Sequence, residues 1–206
     1  MGESNSNTIS IFGLTKFARS VHDLIEQKKV SDMEDYKIDK FVSLAPDTSG
    51  FTELLKKPIL VIPPSNYEDF KDKVVICAHD KGQERADFIE KSGATTKTVT
   101  ATYSICLEID KLGQGCLVFP FTTIEMGAQI KQLCIIGSNS IIGPDSKLGI
   151  AVTCHPGVIV GPRAEVGDYS ILELGCVVKE GVKIGKECRV RAHMSISSDL
   201  PDGTTY

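Results

Sequence analysis

Residues 139–149 read NSIIGPDSKLG. Two isoleucines run abruptly into glycine, proline and aspartate, and the next apolar residue, Leu148, comes six places after Ile142. Glycine, proline and aspartate are turn formers, so the stretch is either one corner of a repeating structure or the seat of some chemistry. Stepping outward from Ile142 by six in both directions decides between them. The steps land on Cys106, Leu112, Val118, Ile124, Ile130 and Ile136 on one side, and on Leu148, Cys154, Val160 and so on to Val190 and Ile196 on the other. All sixteen positions are apolar in a chain that is 41% apolar overall. Chance yields such a run on the order of once in a million, so a period of six is imposed.

A second column lies two residues before each anchor. It is small or β-branched, as at Cys116, Thr122, Ala128, Cys134, Ser140, Ser146, Val152, Ala164 and Ser170, with Asp110 and Met194 as misfits. One branched and one small inward column, recurring every six residues, describe a parallel β-helix of triangular coils. Sixteen hexads make a little over five coils with no insertion between them. Glycines directly after anchors, such as Gly137, Gly143, Gly149 and Gly161, are expected where corners need tolerant dihedrals. In NSIIGPDSKLG, Gly143 and Pro144 then form a corner, Asp145 points outward, and Ser146 is the next small residue.

The repeat also accounts for the cysteines. Six of the seven fall in the two inward columns, where they pack as small apolar residues, too deep for thiol nucleophiles. No pair has zinc-ligand spacing, and no metal site is expected. The odd count and the absence of a signal peptide's pattern predict reduced thiols in a cytoplasmic setting. The formal charge of −4 with scattered Lys and Arg predicts no nucleic-acid partner. No apolar run is long enough for a membrane helix, and no membrane partner is expected. Gly2 to Ser6 formally fit a myristoylation pattern that Glu3 suits poorly, and the opening residues read as a disordered start.

The first hundred residues have a different rhythm. TISIFG (8–13), YKIDKFVSL (36–44), KPILVI (57–62) and KVVICA (73–78) read as strands. KFARSVHDLIEQ (16–27) carries Phe17, Val21, Leu24 and Ile25 at helical spacing, and QERADFIEKSG (83–93) is a helix closed by Gly93. Alternating strands and helices predict a small Rossmann-like parallel sheet. The expected organisation is a disordered 1–8, an α/β region over 9–100 and a β-helix over 101–206. The first turn of the sheet, GLTKFA (13–18), has Gly13 alone where a dinucleotide site has several glycines, although a helix N-terminus there could hold an anion.

A small α/β region followed by hexapeptide coils resembles the NeuD/PglD family of hexapeptide-repeat sugar acyltransferases. The resemblance covers nearly the whole chain and is strongest over residues 166–204, including an Asp-x-Pro-Asp-Gly signature at Asp199 to Gly203. It implies a homotrimer of left-handed β-helices that uses acetyl-CoA to acetylate an amino or hydroxyl group on a nucleotide-linked sugar. It also implies that the α/β region binds the sugar nucleotide and that chemistry occurs in a cleft between neighbouring β-helices. The chain departs from this pattern at the chemistry. Counted without gaps, the family's catalytic histidine falls on Pro144, which has no proton-accepting nitrogen. Two further histidines fall on Ala151 and Thr153. The small residues along which CoA lies in the late coils are replaced by Glu173, Arg191 and His193.

The remaining candidates follow from type and position. His22 is expected on the outer surface of its helix. His79 follows a strand at the carboxyl edge of the sheet, and with Gly13, Asp80 and Arg85 it could contact a sugar or phosphate. His155 follows the Cys154 anchor at a corner expected to face solvent, and it or Asp145 could stand in as a base. His155 and His193 are too few for a zinc-dependent carbonic anhydrase of β-helix type. Three functions are consistent with this pattern. One is a catalytically degenerate homologue with a structural or ligand-binding role; another is an active acetyl-CoA-dependent acetyltransferase with a non-standard base; the third is a sugar-nucleotide binding module.

Overall fold

The computed structural model describes residues 8–13, 15–27, 37–43, 59–61 and 64–206. The opening segment with Gly2 to Ser6 lies outside the described residues. Five parallel strands form the first sheet: β1 (Thr8–Phe12), β2 (Lys37–Ser43), β3 (Ile59–Val61), β4 (Val74–Cys77) and β5 (Thr95–Thr96), in the order β3-β2-β1-β4-β5. Period-two alternation sends neighbouring side chains to opposite sides of this sheet. Ile9, Ile11, Ile38, Phe41 and Ile76 pack on one side with Phe17, Val21 and Ile25 of helix α1 (Lys16–Glu26). Phe12, Val42, Val75 and Cys77 pack on the other with Phe88 of helix α2 (Gly82–Ser92) and with Tyr67 and Phe70 of a short 3₁₀ helix, Pro64–Phe70. Helix α2 ends on Gly93 in the left-handed region, φ 64°, the usual glycine cap.

His22 differs from expectation. Its ring lies 5.7 Å from that of Phe41 and its side chain is only 14% exposed, with Nδ1 3.1 Å from Asp23 Oδ1. It closes the edge of the α1 core rather than facing solvent.

From Val99 to Ser195–Ile196, sixteen two-residue strands recur at six-residue steps, with one step skipped at Leu112, which makes only an isolated bridge to Ile130. They stack into the three faces of a left-handed β-helix. The first face holds Val99–Thr100, Leu117–Val118, Ile135–Ile136, Thr153–Cys154, Ile171–Leu172 and Arg189–Val190. The second runs from Ile105–Cys106 through Ile141–Ile142 and Ile159–Val160 to Ser195–Ile196, and the third from Gln129–Ile130 to Lys183–Ile184. The anchors from Val118 to Ile196 are buried and form one continuous core with the small column. Each buried Ile or Leu in that core contributes roughly 2 kcal/mol of apolar burial. All seven cysteines are free, and the six in the repeat line this core or its first turn. The last coil is closed by the signature itself. Asp199 Oδ1 accepts from the Lys183 N–H and Asp202 Oδ1 from that of Lys186, both at 2.8 Å, while Leu200 pairs beside Ile184.

The role expected for the glycines needs correction. Left-handed backbone occurs three residues after each anchor from Leu112 to Val190, at Phe121, Leu133, Asn139, Asp145, Ala151, Gly157, Arg163 and onward, not at the residue directly following. The glycines after anchors are required for a different reason. A Cβ on Gly137 would lie 2.5 Å from Pro156 N, and one on Gly161 2.7 Å from Glu180 N. The coils stack too closely at these points for any side chain, whatever the dihedral.

The outward residues of the three faces differ in kind. Val99, Leu117 and Ile135 on the first face are buried against Ile9, Phe17 and Ile76 of the α/β region. The third face carries Gln129, Lys147, Glu165 and Lys183, with Lys147 Nζ 3.1 Å from Glu165 Oε1. The first face therefore receives the α/β region, and the third faces solvent.

Candidate functional site

The carboxyl ends of β1 and β4 meet the first face of the β-helix, where the β1–α1 turn, the loop after β4 and the coil bearing His155 come together. At the end of β1, Gly13 has φ 110°, and a Cβ on it would stand 2.8 Å from the His79 backbone. Glycine thus lets the β1–α1 turn lie directly against the loop after β4. Thr15 fixes the same junction. Its Oγ1 donates to Ala78 O at 2.6 Å and accepts from Ala18 N at 3.3 Å, capping α1 while tying it to that loop. Phe17, one turn on, packs against Phe119 and meets the His155 ring edge-on at 5.4 Å.

His155 therefore does not project freely into solvent as a corner residue was expected to. It is half-buried against α1, and burial pushes its imidazole below the ordinary histidine range, with Glu173 and Asp80 partly opposing. His79 stacks on Phe12 at 5.8 Å. Burial lowers its imidazole too, against the pull of Asp80 and Glu84. The Lys81 N–H points at both His79 Nδ1 (3.2 Å) and Asp80 Oδ1 (3.0 Å), which leaves the ring proton on Nε2. This junction thus gathers two uncharged imidazoles, the exposed carboxylate of Asp80 and the first turn of α1. It lies where open α/β sheets place ligands.

Arg85 was expected to reach a ligand and is placed otherwise. It is fully buried, and its donors go to backbone and hydroxyl acceptors. Nε donates to Leu133 O (3.0 Å), Nη1 to His79 O (2.5 Å), and Nη2 to Ala151 O (2.7 Å) and Thr153 Oγ1 (3.0 Å). Thr153 in turn donates to Asp80 O at 2.9 Å. Burial lowers the guanidinium to about 10, still charged at neutral pH. Arg85 fixes the loop bearing His79 and Asp80 onto the coil bearing His155. Gly82 completes the joint, since a Cβ there would overlap the Ala151 carbonyl oxygen.

Pro144 and Asp145 sit at the corner between the second and third faces, whereas His155 sits between the first and second. Pro144 is half-buried, and its carbonyl accepts from Arg163 N at 2.9 Å. Asp145 is exposed, with φ 57°, and its carboxylate leans over Gly127. In the late coils, Glu173 is held by Arg189, at 2.7 Å from Nε and 2.6 Å from Nη2, and accepts from Ala192 N at 3.2 Å. These bonds keep its carboxyl below the usual range. The exposed Arg191 gives its backbone N–H to Tyr206 O at 2.9 Å. The His193 ring lies over Gly175, where a Cβ would meet Nδ1 at 2.8 Å. Thr15 and Phe17 belong to this junction and were not singled out as site residues in the sequence, where Thr153 appeared only as a position at which the resemblance expects a histidine. Only the pairing of a threonine with a helix start at residue 16 could have flagged the first.

A three-layer α/β region with its carboxyl edge set against a left-handed β-helix is the fold that the resemblance to the hexapeptide-repeat sugar acyltransferases implied. The particular relatives bear this out. The chain is 25% identical over 181 residues to the GDP-perosamine N-acetyltransferase of Escherichia coli O157:H7, covering 85% of this chain and 80% of that protein. Among solved structures, PerB from Caulobacter crescentus, in complex with CoA and GDP-perosamine, superposes with a TM-score of 0.79 at 21% identity, over 96% of this chain and 92% of PerB. The acetyltransferase domain of PglB from Neisseria gonorrhoeae FA1090, in complex with acetyl coenzyme A, gives a TM-score of 0.78 at 18% identity, over 97% of this chain and 95% of that domain. No family model matches the chain. Among the described residues no helix is long and apolar enough to cross a membrane.

Proposed function

We propose that this chain is a catalytically degenerate homologue of the sugar acetyltransferases, a β-helix trimer that keeps the architecture without the acyl-transfer machinery. One observation carries the reading. The corner where the resemblance places the catalytic histidine holds Pro144, and its only carboxylate, Asp145, is exposed to solvent. A proline cannot take a proton from an attacking amine or hydroxyl. Two further features agree. His193 covers Gly175, and Glu173 is bound by Arg189, so the path that small residues would leave for CoA is narrowed in both late coils. Self-association is supported by the second face, whose outward Ile105, Ile141 and Ile159 are exposed. Such an apolar stripe is the mark of a covered surface.

A second reading has one observation in its favour. His155 is half-buried and held uncharged beside Phe17, and both its corner and that of Pro144 border the second face. In an active acetyltransferase it would be the base. Asp80, His79 and the first turn of α1 would then face the sugar nucleotide, with acetyl-CoA as donor. The third reading, a sugar-nucleotide binding module, uses the same junction without CoA.

Calorimetric titration with acetyl-CoA, followed by GDP- and UDP-linked amino sugars, separates the three. The degenerate reading expects no saturable acetyl-CoA binding at millimolar concentration. Saturable binding together with acetyl transfer that disappears in H155Q would replace it with the second reading. Binding of a nucleotide sugar without CoA would favour the third.

A further inference from the structure

Of the eleven large apolar side chains that stay exposed among the described residues, six fall between residues 103 and 126, in the first two coils of the β-helix. Tyr103 (59% exposed) and Phe121 (63%) stand at the corner between the first and second faces, their rings stacked at 5.7 Å. Ile105 lies on the second face, and Leu107, Ile109 and Met126 lie at its other corner, toward the third face. One end of the prism therefore carries aromatic side chains at one corner of the second face and aliphatic ones at the other. At roughly 100 Å² apiece, the six present roughly 600 Å², the upper end of what a monomer leaves exposed. Ile141 and Ile159 extend the patch along the same face, toward the roughly 800 Å² per partner of a stable interface.

The aromatic corner also forms one wall of a groove of about 320 Å³. Tyr103, Phe119 and Phe121 line it from the β-helix, and Leu24 lines it from α1 with the exposed Ser20 and Asp23. Walls of this kind take an apolar guest, and the geometry of a coil names one. Strands stack at an offset of eighteen residues, and a coil rises about 4.8 Å. Phe121 and Met126 lie close together along one coil, as do Tyr103 and Leu107, so each pair is level to within about 1.5 Å. When two copies stand side by side with their prisms parallel, the aliphatic corner of one meets the aromatic corner of the other at the same height. Antiparallel copies would instead set the patch against the late coils, where Arg163, Glu180 and Arg191 are charged and exposed. Met126 is the most exposed of the six, at 65%. Its flexible thioether suits an irregular gap and contact with aromatic rings.

We infer that Met126 of each copy docks into the groove between α1 and the Tyr103–Phe121 stack of the next, with Leu107 and Ile109 packed beside it. This contact rests on the trimer proposed above and gives it a seam: the β-helix of one chain is clamped to the α/β region of its neighbour. Each chain gives one corner and receives another, so a ring of three fills every groove.

The test places Ser20→Cys and Met126→Cys in one chain, treats it with a short bismaleimide and reads masses on denaturing gels. Helix α1 lies over the first face while Met126 stands at the far corner, so a link between them joins two chains. The double variant is expected to give covalent dimers and trimers, and neither single variant a covalent trimer. The untreated parent sequence controls for the half-buried Cys106. Met126→Asp is expected to raise the dissociation constant of the trimer at least about tenfold, with its circular dichroism unchanged. A parent that is trimeric by light scattering but gives no covalent trimer in the double variant overturns the docking, leaves the trimer standing and gives the groove another occupant. So does a trimer that M126D leaves as tight as the parent. A parent that is monomeric at all concentrations overturns both the docking and the trimer.

Discussion

The guanidinium of Arg85, on a helix of the α/β region, donates to the hydroxyl of Thr153, 68 residues further along and in the β-helix, at 3.0 Å. The same side chain satisfies the carbonyls of Leu133, His79 and Ala151. One buried cation thereby ties the two parts of the chain together and, through the carbonyls of His79 and Asp80, fixes the loop that bears those two side chains.

Removing that cation strands several buried carbonyls at once. Arg85→Met is expected to lower stability by about 3–5 kcal/mol, the range for breaking a buried charged network by deleting one member. Arg85→Lys should recover little, because an ammonium cannot reproduce the planar fork that reaches three separate segments. Urea denaturation monitored by circular dichroism measures both. An R85K variant within about 1 kcal/mol of the parent would mean that the joint rests on apolar packing instead.

Two kinds of glycine occur in the β-helix, and a matched pair of substitutions separates them. Gly181 has φ 71° and open space around its missing Cβ, so Gly181→Ala should cost only the left-handed strain, about 1 kcal/mol. At Gly161 no positive φ is involved, yet a Cβ would meet Glu180 N at 2.7 Å and Val178 O at 2.8 Å. Gly161→Ala is expected to cost more than Gly181→Ala, by about 1–3 kcal/mol, because rigid neighbouring coils must part. Equal costs in denaturant titrations would show that dihedral freedom alone governs both positions.

That distinction marks the limit of what the sequence conveyed. Periodicity exposed the anchors and the small column because each buried position repeats the same demand every six residues. A glycine that avoids a clash and a glycine that adopts positive φ look identical in a sequence, and only the stacking distance tells them apart. Arg85 was invisible as a joint for a related reason: its acceptors in the β-helix lie 48 to 68 residues away along the chain. His155 was recoverable in principle. Its face carries outward Val99, Leu117 and Ile135, whereas the third face carries Gln129, Lys147, Glu165 and Lys183. A face with apolar outward residues is a covered face, and a corner beside it is no longer solvent.

The two junction histidines predict a pH response. Both His79 and His155 are lowered from 6.5 in the folded chain, chiefly by burial, while the unfolded chain protonates near the ordinary value. Above that value both states are uncharged and the histidines add no pH dependence. As pH falls below it, the unfolded state binds protons that the folded state resists, so stability declines. The denaturation midpoint should therefore drop between about pH 7.5 and about pH 5.5. The double variant H79Q/H155Q should flatten that slope relative to the parent. A slope unchanged by the double variant would assign the decline to other groups.

Self-association through the second face is the remaining proposal open to direct test. Ile141 and Ile159 lie on adjacent strands of that face, paired in register, and both are exposed in a single chain. The stripe continues through Ile105 to the stacked rings of Tyr103 and Phe121 at the neighbouring corner, 5.7 Å apart. Light scattering is expected to give a mass three times that of the 22.3 kDa chain. A charge at the middle of the stripe would have to be desolvated in three symmetric contacts at once. Ile141→Arg and Ile159→Arg should therefore each shift the protein to monomer, with the circular dichroism of the β-helix retained because neither side chain enters the prism. Lys147→Glu on the third face serves as the control and should leave the trimer intact. A parent protein that is monomeric at all concentrations, or a trimer that survives both isoleucine variants, would remove the second face as the interface.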